Sequence, residues 1–274
     1  MTRPTLLQDY WPNTSFAGDA KAAVFEFIGT TLFLLLAFGG TQGSYHVQGS
    51  DLERALYIAT VFGLSLLVSA WFFFRATGGL FNPDVSLALL LSGSIGPRRF
   101  VLYCIAQLTG AIAAAGIVLS LTPDPLSYNT VPSRGINHAQ AVFIEMFITA
   151  ALCLSVLMLA AEKHSSTPFA PIGVGLTLFA CHLFAVPYTG AAMNTARAFG
   201  PAVVSGFPND SHWIYWLGPC LGALLATAVY ISLKHYQYWT LNPGQDATDL
   251  QSSPRDLGSV IRADDRVVER SSRV

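Results

Sequence analysis

Gly78-Gly79-Leu80-Phe81-Asn82-Pro83-Asp84 returns in altered form as Gly190-Ala191-Ala192-Met193-Asn194-Thr195-Ala196. In both copies a Thr-Gly pair precedes the asparagine, Thr77-Gly78 in the first and Thr189-Gly190 in the second. In both, an apolar stretch breaks off and restarts. Two such interruptions in corresponding halves of a hydrophobic chain point to discontinuous helices meeting near the bilayer midplane. That is the pattern of a pore or a carrier.

The rest of the chain has the composition such helices need. Charged residues make up 11% of its 274 residues and hydrophobic residues 52%, whereas soluble domains carry about 25% charged residues. A formal net charge of −1 with no basic stripe offers nucleic acid no surface. Cys104, Cys153, Cys181 and Cys220 sit singly in apolar segments with no CxxC pair, so they read as small packed hydrophobes and not as a disulfide framework. The first twenty residues are polar and mixed, without the pattern of a cleavable signal. No nucleophile, base and orienter stand together, so enzymatic activity is not expected, and neither is a cofactor or a metal.

Six apolar segments are long enough to span a bilayer, at about 22–41, 54–75, 99–121, 139–161, 171–187 and 213–235. Two shorter ones follow the asparagine motifs, at about 83–93 and 195–205. At about 1.5 Å per residue they cross only half of a ~30 Å core, and they read as half-helices. Ala23-Val24-Phe25-Glu26 in the first span is echoed by Ala141-Val142-Phe143-Ile144-Glu145 in the fourth. Three spans per half is an odd number, so the halves must insert in opposite orientations. The expected fold is an all-α membrane protein with six transmembrane helices and two re-entrant half-helices in an inverted repeat. Its channel domain covers 21–236, with repeats at about 21–121 and 139–236. Residues 1–20 and 237–274 read as tails, the second disordered by composition.

An even number of spans places both termini on one side. That side holds Arg3, Lys21, Arg75, Arg98, Arg99, Lys163, Lys234 and the five tail arginines, against Arg54, Arg134 and Arg197 on the other. The bias makes the termini cytoplasmic, and a plasma-membrane location is expected. Trp213, Tyr215 and Trp216 begin the sixth span, where aromatic rings favour the interface.

Asn82 and Asn194 fall at opposed half-helix N-termini. Each such end carries unsatisfied N–H donors and about +0.5 of a charge. An asparagine there can tie its carbonyl back to the backbone and offer an amide N–H to the passage. A molecule between the two would meet donors and positive potential from both sides. Water would turn its oxygen to them, and small cations would be repelled. Half-helix dipoles together with an arginine are a general basis for proton and cation exclusion in narrow pores.

Over about residues 20–236 the chain resembles the aquaporins, or major intrinsic proteins. These carry two Asn-Pro-Ala motifs, matched here by Asn82-Pro83-Asp84 and Asn194-Thr195-Ala196. The second opens the run Asn194-Thr195-Ala196-Arg197-Ala198-Phe199-Gly200-Pro201, and the family's sixth-span signature appears as His212-Trp213-Ile214-Tyr215-Trp216-Leu217-Gly218-Pro219. The resemblance implies a homotetramer in the lipid bilayer with one pore per protomer. It places the selectivity filter on Phe62, His182, Ala191 and Arg197, the pattern of water-selective members. Ala198 stands where glycerol-conducting relatives have aspartate, and Ala202, Tyr215 and Trp216 fit the water-selective side. Glu26 and Glu145 are expected to support the re-entrant loops by accepting their N–H groups, with proton relay as the alternative. Taken singly, Phe62 and His182 would be ordinary core residues and Arg197 a loop cap.

Two positions depart from the family pattern. Asp84 replaces alanine; an acid in a helix's first turn meets the dipole favourably and reads as a cap, against the alternative of a pore-facing carboxylate that would admit cations. Thr195 replaces a proline that is helpful at a first helical position but not required. Tyr10 and Trp11 are candidates to plug the cytoplasmic mouth, against a disordered tail, and His164 with Ser165, Ser166 and Thr167 is a candidate gating loop, against an ordinary exposed histidine. The expected function is passive water conduction. Alternatives are a facilitator of hydrogen peroxide, glycerol or another small neutral solute, a secondary carrier, and a poorly conducting structural membrane protein.

Overall fold

Three of the long helices begin where the sequence offers a side-chain cap. In the computed structural model, which describes residues 10–245, Ser15 accepts from the Gly18 N–H and starts α1 (Phe16–His46). Ser50 and Glu53 cap each other's backbone at the start of α2 (Asp51–Thr77), and Asn137 and Gln140 do the same for α5 (His138–Val156). Such reciprocal boxes satisfy donors that the first helical turn leaves free. Pro97 opens α4 (Pro97–Leu121), where its missing N–H costs nothing. The half-helices α3 (Pro83–Leu91) and α7 (Thr195–Val204) are capped by Asn82 and Asn194. The remaining helices are α6 (Ala170–Thr189) and α8 (Ile214–His235). A single π-helical turn, Leu157–Ala161, continues α5.

Helices α2 and α6 stop in the same way. Gly78 and Gly190 take left-handed backbone, with φ of +96° and +77°, a conformation glycine adopts without Cβ strain. These two stops produce the interruptions seen in the sequence. Among the described residues six helices are long and apolar enough to cross a membrane, and there is no strand. With the two half-helices they form the all-α inverted repeat of a multi-pass integral membrane protein.

Helix α1 begins at Phe16, within the segment expected to be a tail. Asp19 in its first turn is buried and accepts from Arg98 Nε at 2.6 Å, Arg99 Nε at 2.8 Å and the Thr14 hydroxyl at 3.0 Å. Those bonds anchor a polar turn that hydropathy alone excludes. The half-helices end at Leu91 and Val204, slightly short of the expected ends. Arg3, the tail arginines and most of the expected disordered C-terminal tail lie outside the described residues. Tyr236–Gln245, a separate unit, carries one 3-10 turn, Tyr238–Thr240.

The two repeats pack alike. Helix α1 lies against α2 and α4, and α5 lies against α6 and α8; α2 against α6 joins the halves. Each half-helix also packs into the other repeat, α3 on α8 and α7 on α4. Close approach depends on glycine, as is usual between membrane helices. A Cβ on Gly200 of α7 would lie 2.4 Å from the Ala111 carbonyl oxygen of α4, and one on Gly222 of α8 would lie 2.5 Å from the Met146 carbonyl oxygen of α5.

Gly200→Ala should therefore force α7 off α4 and destabilise the protein by about 1–3 kcal/mol, the scale of an overpacked core. The control is Gly116→Ala on α4, where an added Cβ meets nothing within 4 Å. Thermal unfolding in detergent compares them: only the Gly200 variant should lose its midpoint.

Candidate functional site

Between Gly78 and Asn82, and again between Gly190 and Asn194, the chain leaves helical geometry inside the protein. Phe81, Ala191 and Met193 hold φ of +51°, as non-glycine residues seldom do. Such conformations cost of order 1–3 kcal/mol each and persist only where surroundings enforce them. Here a buried carboxylate enforces each loop. Glu26 accepts from the Leu80 N–H at 3.1 Å, the Phe81 N–H at 2.8 Å, the Thr77 hydroxyl at 2.5 Å and Gln107 Nε2 at 2.9 Å. Glu145 accepts from the Ala192 and Met193 N–H groups, both at 2.9 Å, and the Thr189 hydroxyl at 2.6 Å. Both glutamates are fully buried and committed to the loops.

The loops meet through their asparagines. Asn82 Oδ1 accepts from the Asp84 and Val85 N–H groups at 2.8 and 3.4 Å. Asn194 Oδ1 accepts from the Ala196 and Arg197 N–H groups at 2.9 and 3.1 Å. Each side-chain nitrogen then crosses to the other loop: Asn82 Nδ2 donates to the Met193 carbonyl and Asn194 Nδ2 to the Phe81 carbonyl, both at 2.8 Å. A carboxamide nitrogen has two hydrogens, so each asparagine keeps one donor beyond this exchange. The tied-back carbonyls follow the sequence expectation; the cross-loop exchange has no local signal in it.

Asp84 corrects its expected partner. Asn82 already caps the helix that Asp84 belongs to, and the Asp84 carboxylate reaches the opposite half-helix. Its Oδ2 accepts from the Thr195 N–H at 2.8 Å, and the Thr195 hydroxyl lies 3.0 Å away.

Beyond the asparagines, Phe62 of α2 and His182 of α6 stack with ring centroids 4.3 Å apart. The Arg197 guanidinium carbon lies 4.9 Å from the Phe62 ring centroid. Arg197 Nη1 donates to the Tyr128 carbonyl at 2.7 Å, and Nη2 to the Gly190 carbonyl at 3.5 Å. His182 Nδ1 lies 3.0 Å from the Leu178 carbonyl oxygen. His182 Nε2 and Arg197 Nε are buried with no protein partner among the described residues. A narrow cavity of about 30 Å³ is bounded by Phe62, Asn82, Asn194, Arg197 and the apolar Leu66 and Leu178, and His182 does not border it. A wider cavity of about 400 Å³ shares Phe74, Gly78 and Val156 with it and carries Arg99 and Lys163. Ala191 is fully buried on the loop between Gly190 and Asn194, and it does not border the narrow cavity.

Three supporting residues escaped the sequence reading. Tyr128 supplies the carbonyl for Arg197 and is anchored by its hydroxyl to the Ala115 carbonyl at 2.8 Å. Gln42 clamps the same loop, accepting from the Ser127 N–H at 3.1 Å and donating to the Pro125 carbonyl at 3.0 Å. Gln107 bridges Glu26 and Ser86. Gln107, in the middle of the apolar span 99–121, was the one visible signal; Gln42 lies just past the expected end of the first span.

The candidate gating residues lie apart from the asparagines. The Tyr10 hydroxyl donates to the Leu91 carbonyl at 2.7 Å, and Trp11 Nε1 donates to the Leu90 carbonyl at 3.0 Å. They cap the C-terminus of α3, and neither borders the narrow cavity. His164 lies in the connection before α6, its Nδ1 2.6 Å from the Ser166 hydroxyl.

Comparison with known proteins bears on this arrangement. The family model described as major intrinsic protein matches residues 13–230. Aquaporin-1 of Laccaria bicolor is 62% identical over 252 residues, covering 89% of this chain and 81% of that protein. Aquaporin-7 of Botryotinia fuckeliana is 49% identical over 236 residues, covering 82% of this chain and 52% of that one. The X-ray structure of the aquaglyceroporin from Plasmodium falciparum matches with a TM-score of 0.70 at 20% identity, covering 81% of this chain and 98% of that chain, a likeness of fold.

Glu145→Ala should strand the Thr189 hydroxyl and the Ala192 and Met193 N–H groups. Buried donors without acceptors cost about 1–3 kcal/mol each, so the loss should exceed that of Glu145→Gln, which keeps one acceptor oxygen. Thermal midpoints of the two variants in detergent check the order.

Proposed function

Since the chain belongs to the major intrinsic protein family, whose members are passive channels for water or small solutes, we propose that it conducts water and excludes protons and ions. The observation that carries this reading is the stacking of His182 on Phe62 with Arg197 over the same Phe62 ring, Phe62 and Arg197 both bordering the narrow cavity. Two rings fill the cross-section there, and the guanidinium adds charge and donors. A solute with a carbon backbone needs both more width and an apolar wall along its length. Hydrogen peroxide matches water in size and hydrogen bonding, so the same filter passes it.

The electrostatics act against cations. Asn82 and Asn194 each bring a spare amide donor to the cavity at a half-helix N-terminus, where partial positive charge gathers. Water arriving there accepts from both and points its hydrogens outward, which breaks a donor chain along which a proton could hop. Arg197 adds a full positive charge farther along. Its guanidinium is aimed by backbone carbonyls of Tyr128 and Gly190, so its direction is fixed before any cargo arrives. The channel domain spans about 21–236, assembles as a homotetramer, and sits in the plasma membrane with both termini cytoplasmic. Tyr10, Trp11 and His164 lie where they could regulate a mouth without lining the narrow cavity.

Light scattering on proteoliposomes tests the cargo. Water permeability should rise well above that of empty liposomes under an impermeant osmolyte, while glycerol permeability stays at background. Phe62→Ala with His182→Ala should admit glycerol or urea, because two large side chains leave one section. Glycerol flux through the unaltered protein comparable to its water flux, or no solute flux through a folded double variant, would remove the filter from these positions.

A further inference from the structure

The two half-helices are both capped by an asparagine but differ at their first residue. Helix α3 starts with Pro83, which has no N–H to satisfy, whereas α7 starts with Thr195, which has one. The first N–H groups of a helix find no acceptor within it. The Asn194 carbonyl oxygen is already occupied by Ala196 and Arg197. Thr195 is 4% exposed, so its N–H would be a buried orphan. Asp84 Oδ2 takes it at 2.8 Å from the other half-helix. The Thr195 hydroxyl lies 3.2 and 3.0 Å from the two Asp84 oxygens and 3.1 Å from the Tyr215 carbonyl of α8.

The relation runs in both directions. A carboxylate buried at this depth is costly unless paired, and Asp84 is 4% exposed. Its oxygens meet a backbone N–H, a hydroxyl and the positive end of α7. Asn82 and Asn194 border the narrow cavity, and Asp84 and Thr195 do not. Yet both residues are coupled directly to the asparagines: the Asp84 N–H donates to Asn82 Oδ1, and Thr195 follows Asn194 in the chain.

We propose that Asp84 and Thr195 form a clasp between the half-helices that positions Asn82 and Asn194 and keeps the Asp84 carboxylate out of the channel. Asp84 is a positioning residue. Its presence is matched to the N–H that Thr195 brings to a position where Pro83, in the other half, brings none. The proposal rests on the channel reading for its effect on flux, but the clasp itself is measurable without flux.

The test is a double-variant cycle on the full chain, with Asp84→Ala, Thr195→Pro, both together, and Asp84→Asn. Each protein is unfolded thermally in detergent and assayed in proteoliposomes for water flux and proton leak. Asp84→Ala strands the Thr195 N–H; Thr195→Pro strands the carboxylate. Each single change should lower the unfolding midpoint by roughly 2–8 °C and raise proton leak relative to water flux, Thr195→Pro the more. The double variant, with neither orphan, should recover both quantities toward wild type. Asp84→Asn keeps an acceptor for the Thr195 N–H and should hold the midpoint above that of Asp84→Ala. Midpoint losses in the double variant equal to the sum of the singles overturn the clasp, as does Thr195→Pro leaving both midpoint and leak unchanged. If Thr195→Pro alone does not fold, a folded double variant supports the clasp and a misfolded one overturns it. A wild type without water flux overturns the channel reading, while the midpoints still decide the clasp.

Discussion

A chain that leaves helical geometry inside a bilayer must find partners for its backbone within the protein, because the lipid offers none. Two glutamates meet that demand. Each sits in the first long helix of its repeat and takes the N–H groups of one re-entrant loop, Glu26 from Leu80 and Phe81, Glu145 from Ala192 and Met193. With those donors satisfied, the loops can hold left-handed backbone at Phe81, Ala191 and Met193. The placement of both asparagines and of Arg197 depends on those loops. A carboxylate suits this task better than a neutral acceptor, since hydrogen bonds to a charged group are roughly twice as strong.

The symmetric part of this design was legible in the sequence. Glutamate in equivalent spans, glycine at equivalent stops and asparagine at equivalent helix starts each impose a local geometry, and the repeat showed each of them twice. The proposed filter was read in a different way: Phe62, His182 and Arg197 came from resemblance, because an aromatic or a histidine in an apolar span carries no local mark of facing a cavity.

What the sequence did not show is where partners lie far apart in the chain. Asp84 read as a cap because its position in a first helical turn is a local fact. That it caps the opposite half-helix depends on how two loops more than a hundred residues apart meet at the midplane. The Tyr128 carbonyl is a backbone atom, so no side-chain pattern could announce its bond to Arg197. Gln42 acts on an extended loop whose path follows from packing. Helix ends were misjudged for the reverse reason: Asp19 is polar and local, and only the distant Arg98 and Arg99 make its burial tolerable.

The partners of Arg197 have a bearing on ions of the other sign. Its guanidinium hydrogen bonds go to the carbonyl oxygens of Tyr128 and Gly190, which orient the group without cancelling its charge. A carboxylate in their place would have formed a neutral pair and erased the field. In the proposed channel the retained positive charge makes the narrow region attractive to anions as much as it is hostile to cations. Electrostatics therefore cannot keep chloride-sized ions out. In the proposed channel that work falls to dehydration: an anion passing Phe62 and the apolar Leu66 and Leu178 wall must shed its shell, with only a few fixed donors to replace it. On that proposal the same apolar wall that gives water few places to linger is the barrier to the ions that the arginine would otherwise invite.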